Sequence, residues 1–322
     1  MPEKVEPPTV ALAIPTLNGG ELFGRVLTMW VAQSGVGDLQ IICPDSGSSD
    51  QTRDSLRNAG GTVIDIPKGT FNHGATRDLA LQATESEFVI LSVQDALPLS
   101  TTVAQELVAP LLADPGLSAT YGRQVPRAGC HPVLRERIDS WAGGNNPVVQ
   151  ELGEREWDAM DPFERLALIR YDHVIACIRR SAWEQCPFGS IAFGEDVNWA
   201  AHILRNGGRI AFAPAAVVEH SHDRTAWDEA RRVYCDHRNL SRLVGLVTVP
   251  DRRRIPSNTQ NARGHYRQLI DAQPDIDATT RANWHRWADR LALYENWAQY
   301  LGARWSHRLL FRPIDRWLRR HI

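Results

Sequence analysis

The 322-residue chain is poor in lysine, in paired cysteines and in long apolar runs. Only Lys4 and Lys68 are lysines, so nearly all of its 36 basic side chains are arginines. Its five cysteines, Cys43, Cys130, Cys177, Cys186 and Cys235, are odd in number, widely spaced and without a CxxC pair. That pattern indicates neither a disulfide framework nor a zinc site, and buried free thiols are the expectation. No segment approaches the roughly 20 apolar residues that span a bilayer. The opening Met1-Pro2-Glu3-Lys4 lacks the apolar run of a signal peptide. The protein is therefore expected in the cytoplasm, or peripheral at the inner face of the cell membrane.

What is present excludes a disordered or fibrous chain, because 43% hydrophobic and 23% charged residues can bury a core. The net charge of −2 conceals an asymmetry. From Asp251 to Ile322 fourteen arginines face seven acids, which is +7 and leaves −9 for residues 1–250. Five of the eleven tryptophans lie between Trp284 and Trp317. An acidic body over residues 1–225 and a basic, Trp-rich helical extension over 226–322 are the predicted domains.

In the body, Val10–Ile14 is a short apolar run stopped by Pro15, and Leu22, Val26, Leu27 and Trp30 recur at helical spacing. The alternation continues with apolar runs at Leu39–Cys43, Thr62–Ile66, Glu87–Leu91 and Ala119–Gly122, separated by helices from about Asp50, His73 and Thr101. Strands and helices at this spacing predict an α/β fold with a mostly parallel sheet. After Gly122, stretches rich in Pro, Gly and Asn predict a long irregular functional loop. A helix near Asp196–Arg205, a strand at Arg209–Phe212 and a short run at Ala215–Val218 follow.

Ligands of such sheets bind beyond the carboxyl ends of the strands. Those ends read Ile14-Pro15-Thr16-Leu17-Asn18-Gly19-Gly20, Pro44-Asp45-Ser46-Gly47-Ser48-Ser49-Asp50 and Val93-Gln94-Asp95-Ala96. The first is not GxGxxG, which disfavours a dinucleotide-binding dehydrogenase. Asp45 can accept from the imide N–H of uracil or thymine, or else cap the next helix, a role that suits Asp50. Phe71-Asn72-His73-Gly74-Ala75-Thr76-Arg77-Asp78 opens a helix whose amides and guanidinium suit a diphosphate, against a capped helix with a surface arginine. Glu195 and Asp196 open another helix, where acids can simply offset the dipole.

These strings, in this order, resemble family 2 of the nucleotide-sugar-dependent glycosyltransferases, which have the GT-A fold. The resemblance covers roughly residues 8–225. Phe-x-His-Gly-x-Thr-Arg, with Gln94-Asp95-Ala96 and Tyr121-Gly122-Arg123-Gln124, is similar to the rhamnosyltransferase branch, with Asp78 where Asn is expected. The resemblance implies inverting transfer of a sugar, above all L-rhamnose from dTDP-rhamnose or alternatively a UDP-hexose, to a hydroxyl of a glycan or glycolipid acceptor. It implies donor contacts from Pro15, Thr16, Asn18, Asp45, Ser46, His73, Gly74, Arg77, Gln94 and Arg123. Asp196 would be the general base, with Glu195 orienting the acceptor. Asp95 takes the last carboxylate of the family's Asp-x-Asp, but Val93 stands where the other would be. His220 or His222, two apart on an expected strand and so on one face, could complete a site for a divalent metal. Imidazole favours Mn2+ over Mg2+. The incomplete motif also keeps open a non-catalytic docking module for glycan synthesis.

In the tail, Trp284, Trp287, Leu291 and Tyr294 form one apolar helix face. Residues 304–320 mix arginine with Trp, Leu and Phe, which suits either a membrane surface or a homo-oligomer contact. Nucleic acid is not an expected partner, since no basic recognition motif accompanies the arginines.

Overall fold

A computed structural model describes residues 8–142 and 144–320. Among them a nine-stranded sheet is built from β1 (Val10–Ala13), β2 (Leu39–Asp45), β3 (Thr62–Asp65), β4 (Phe88–Ser92), β5 (Leu97–Pro98), β6 (Leu117–Val125), β7 (Val148–Gln150), β8 (Ile175–Arg179) and β9 (Arg209–Glu219). Its order is β3-β2-β1-β4-β8-β6-β9-β5, with β7 on β9. Strands β1 to β4, β6 and β9 run one way; β5, β7 and β8 run against them. The fold is the α/β class that the sequence predicts, with a mixed sheet. β1 and β4 are buried along their whole length, which is why residues 10–13 and 88–91 are unbroken apolar runs, and the Ser92 hydroxyl that ends β4 donates to Val174 O at 3.1 Å.

The helices are α1 (Gly20–Val31), α2 (Thr52–Asn58), α3 (His73–Gln82), α4 (Val103–Ala113), α5 (Pro132–Ala142), α6 (Pro162–Leu168), α7 (Arg180–Gln185), α8 (Glu195–Arg205), α9 (Ala226–Leu243), α10 (Ile255–Asp271), α11 (Ala278–Arg304) and α12 (Arg312–Leu318). Of the predicted stripe, α1 buries Val26, Leu27 and Trp30 in one core with Leu12, Ile14, Cys43 and Ile90; Phe23 is buried with them, while Leu22 is only partly buried at the edge.

Two expectations change. The segment after Gly122 is not irregular, since it holds α5, β7 and α6. Pro132 and Pro162, which look like breakers, stand in the first helical position, where the missing N–H is harmless. Asp161 also forms a capping box: its Oδ1 accepts from Phe163 N and Glu164 N at 2.7 and 3.0 Å, and Glu164 Oε2 accepts from Asp161 N at 2.7 Å. Second, Arg209–Phe212 and Ala215–Val218 are one bulged strand, β9.

The chain forms two compact units. The first comprises residues 1–127, 138–159 and 168–220, and contains the sheet. The second comprises 128–137, 160–167 and 221–322. In the second unit Leu291 is fully buried, Trp287 Nε1 donates to Arg224 O at 2.9 Å, and Trp284 and Trp287 flank the His131 ring. Arg137 pairs there with Glu229 at 3.1 Å and with Glu295.

Candidate active site

The order β3-β2-β1-β4 reverses its winding beside β1, and it is at such a reversal, in the crevice beyond the carboxyl ends of the strands, that open α/β sheets bind ligands. Here those ends are hydrogen-bonded in detail. Thr16 Oγ1 and Ser48 Oγ donate to Asp45 Oδ2 at 3.0 and 2.5 Å, and the amides of Gly47 and Ser48 donate to Oδ1 at 3.1 and 2.9 Å. Burial would raise the Asp45 carboxyl pKa, but the donors from Ser48, Thr16 and Gly47 outweigh it and hold it below the ordinary aspartate value. Asp45 has no exposed surface, so a nucleobase reaches it only by replacing one of these donors. Asn18 adopts a left-handed φ of 46°, accepting from Ser49 N at 2.8 Å while its own N–H donates to Ser48 Oγ at 2.8 Å. Ser46 N donates to Thr16 O at 2.9 Å, and Pro15 is half-buried ahead of it. Asp50 accepts from Thr52 N at 3.0 Å and Gly20 N at 2.9 Å, so it serves the starts of two helices. Gln94 clamps the β1 and β4 turns together, accepting from Leu17 N at 2.8 Å and donating to Leu17 O at 3.2 Å.

The start of α3 differs from the diphosphate cradle that the sequence suggests, because its donors are engaged inside the protein. Asn72 Oδ1 accepts from Ala75 N at 3.1 Å, and Gly74 N donates to Ile191 O at 3.0 Å. A Cβ on Gly74 would lie 2.2 Å from Gly189 O, so the residue is needed for close backbone packing. Arg77 is buried and faces Glu195 at 3.4 Å. His73 packs edge-on against Phe71, and Arg123 donates to Asn145 Oδ1 at 2.5 Å; both are half-buried.

Glu195 and Asp196 begin α8, after Gly194 in the left-handed conformation (φ 74°). Burial opposes ionisation of Glu195, but Arg77 and the bond to His173 (3.2 Å) outweigh it and hold the carboxyl below the usual glutamate range. Burial moves His173 down to about 4, so the neutral imidazole donates from Nδ1 to Glu195. Asp196 goes the other way: burial, then the Glu195 charge, push it well above the usual range. Its Oδ1 accepts from Val197 N at 2.8 Å. The Tyr171 hydroxyl is buried with no hydrogen-bond partner among the described residues, its ring edge-on to His173.

Asp95, at the end of β4, lies 3.7 Å from His220 Nε2. One ligand atom from each of Asp95, His220 and His222 lies within 4.8 Å of the others. The histidines follow β9 instead of lying on it, so strand alternation is not what brings them together. Two imidazoles and one carboxylate form a mixed donor set that suits Mn2+ better than the all-oxygen shell of Mg2+. The roles of Asp78, Asp172 and Gln124 were missed by the sequence reading. Asp78 accepts from Trp183 Nε1 (2.7 Å), Phe188 N (3.0 Å) and Gly189 N (2.8 Å), fixing the loop that leads to Glu195.

Residues 7–234 match the family model described as glycosyltransferase like family 2. The chain is 30% identical over 234 residues to the O-antigen chain rhamnosyltransferase RfbN of Salmonella typhimurium, covering 70% of each chain. It is 28% identical over 233 residues to the O-antigen chain rhamnosyltransferase WbaN of Salmonella anatum, again covering 70% of each. Among solved structures, it superposes on the mannosyltransferase PcManGT from Pyrobaculum calidifontis in complex with GDP-Man and Mn2+ with a TM-score of 0.59 at 17% identity, covering 95% of this chain and 91% of that one. On glucosyl-3-phosphoglycerate synthase from Mycobacterium tuberculosis the TM-score is 0.52 at 19% identity, covering 76% and 82%. These likenesses show the GT-A fold, and the chain belongs to the family 2-like glycosyltransferases, as an enzyme resembling their rhamnosyltransferase branch.

Proposed function

We propose that the enzyme is a metal-dependent inverting transferase moving L-rhamnose from dTDP-rhamnose to a hydroxyl of a glycan or lipid-linked glycan. The observation that carries the reading is the convergence of Asp95, His220 and His222 beyond the carboxyl ends of β4 and β9. These three residues would hold the ion, which when bound neutralises charge on the departing nucleotide diphosphate. Asp45 would receive the base imide in exchange for a hydroxyl donor, beside Thr16, Asn18 and Ser46. His73 and Arg123 would contact the donor, while Arg77 acts on Glu195. The acceptor oxygen would attack the anomeric carbon as the bond to the diphosphate breaks. Its proton would pass to Asp196 Oδ2, since Oδ1 already holds the Val197 N–H. Residues 1–225 would carry this chemistry. The extension, 226–322, would meet the membrane surface that carries the acceptor.

Purified enzyme assayed with dTDP-rhamnose, and with UDP-hexoses as the alternative donors, tests this directly. Transfer should require Mn2+, and His220→Ala should lower the metal-stimulated rate on the order of 100-fold or more. Full transfer by that variant, or transfer insensitive to a chelator, would overturn the metal assignment. Turnover of a UDP-hexose alone would overturn the donor.

A further inference from the structure

Tyr121-Gly122-Arg123-Gln124 runs along β6, which pairs in parallel with β9. The register is not continuous. Gly122 pairs with Ala213 and the next residue, Arg123, with Val217, so β9 bulges at Pro214, Ala215 and Ala216. The bulge fits because residue 122 lacks a side chain: a Cβ there would lie 2.4 Å from Ala216 O. Beyond the bulge the pairing resumes with Gln124 opposite Val218, and His220 N donates to Val125 O at 2.9 Å. Gln124 and His220 are thereby brought side by side, both buried.

The hydrogen bonds between them have a fixed direction. Burial pushes the Asp172 carboxyl up to about 6, so at neutral pH it is ionised and only accepts. Asp172 is buried, with Oδ1 accepting from Val174 N at 3.0 Å and Oδ2 accepting from Gln124 Nε2 at 3.0 Å. With its NH2 turned to Asp172, Gln124 presents Oε1 to His220 Nδ1 at 2.9 Å. An amide oxygen cannot donate, so Nδ1 must carry the proton. A neutral imidazole has only one N–H, which leaves the lone pair on Nε2, the nitrogen that faces Asp95.

We infer that Asp172 and Gln124 are positioning residues that hold His220 in the Nδ1–H tautomer, with Nε2 set to ligate a divalent cation. The inference rests on the metal reading above and extends it to two residues that touch neither metal nor substrate. Hydrogen-bonded partners behind a ligating imidazole commonly set its tautomer, and their loss typically lowers metal affinity 10–100-fold.

The substitution Asp172→Asn reverses the relay. The introduced carboxamide would keep its oxygen on Val174 N and offer an NH2 to Gln124. Gln124 would then turn its oxygen to that NH2 and its own NH2 to His220 Nδ1, placing the proton on Nε2. In metal-free protein labelled with 15N-histidine, wild-type His220, identified by the signal lost in His220→Gln, should show a protonated Nδ1 and a bare Nε2. The Asp172→Asn protein should show the reverse. Its Mn2+ affinity, read from the EPR signal of free Mn2+ with dTDP or UDP present, should fall about 10–100-fold, while metal-free nucleotide binding stays unchanged. A wild-type His220 protonated at Nε2 would overturn the relay, as would an Asp172→Asn protein with unaltered tautomer and affinity. Should that variant fail to fold, Gln124→Leu and the wild-type tautomer still decide. A wild-type protein that binds no Mn2+ with either nucleotide would overturn the metal reading, whereas the tautomer is read without metal.

Discussion

Glu195 and Asp196 are neighbours in sequence and opposite in proton affinity, because Arg77 and His173 contact the first, whereas burial and the Glu195 charge outweigh Arg77 at the second. A general base must be unprotonated, so transfer should rise with pH through the elevated Asp196 pKa. The Glu195 charge is part of that elevation. Glu195→Gln should therefore move the acidic limb of the kcat profile to lower pH, and Asp196→Asn should abolish transfer while leaving the fold intact. A limb that stays in place, or an active Asp196→Asn enzyme, would remove Asp196 from the base role. The stability sign is separate. Glu195 has a depressed pKa, so its ion pair contributes fully above the ordinary glutamate value, roughly 4.3, and fades as pH falls through the folded value. The Glu-Asp pair was legible in the sequence as a helix start with two acids. That Arg77 serves Glu195 was not, because the residues are 118 positions apart and only the tertiary fold brings them together.

At the level of elements, the segment between α7 and α8 is held by α3. Asp78 accepts the Phe188 and Gly189 N–H groups from it and the Trp183 indole N–H from α7, and Gly74 donates to Ile191 O. This explains why an aspartate stands where the family resemblance leads one to expect asparagine. An asparagine would turn an NH2 towards one of those N–H donors. Asp78→Asn should cost about 1–3 kcal/mol in a urea melt, with a lower transfer rate as the Glu195 loop loosens; an unchanged midpoint would show that the three bonds carry no net stability. The strands and the α1 stripe could be read from periodicity alone, since burial on both faces leaves an unbroken apolar run. The capping box at Asp161 and Glu164 was equally present in the sequence, but the prolines beside it suggested a loop. The β9 bulge left no local signal, for it depends on the missing Cβ of Gly122 on another strand.

Across the whole molecule, charge and exposed apolar surface coincide near the end of the chain. Leu310 is 96% exposed, Leu309 69% and Trp317 57%, and Arg308, Arg312 and Arg316 beside them are also exposed. No helix among the described residues is long and apolar enough to cross a membrane. The proposed lipid contact is therefore interfacial. Leu309→Asp with Leu310→Asp alters side chains that pack on little, so folding should survive. Sedimentation with vesicles containing anionic phosphatidylglycerol should drop, and wild-type binding should weaken with salt. Equal binding by the double variant, or a change only in oligomer size, would reassign this surface to a second copy of the chain. Removing the whole terminus is a poorer test, because Asp315 is buried and accepts from Tyr234 at 2.7 Å beside Arg238 at 2.9 Å.

The second unit draws on three separated stretches of chain, and Arg137 lies in the first of them. Its partners Glu229 and Glu295 follow 92 and 158 residues later. On the ribosome, that guanidinium emerges long before either carboxylate exists. The helical unit can thus be completed only once Glu295 has been made, and a chain ending at Thr225 would hold an arginine whose acids were never made.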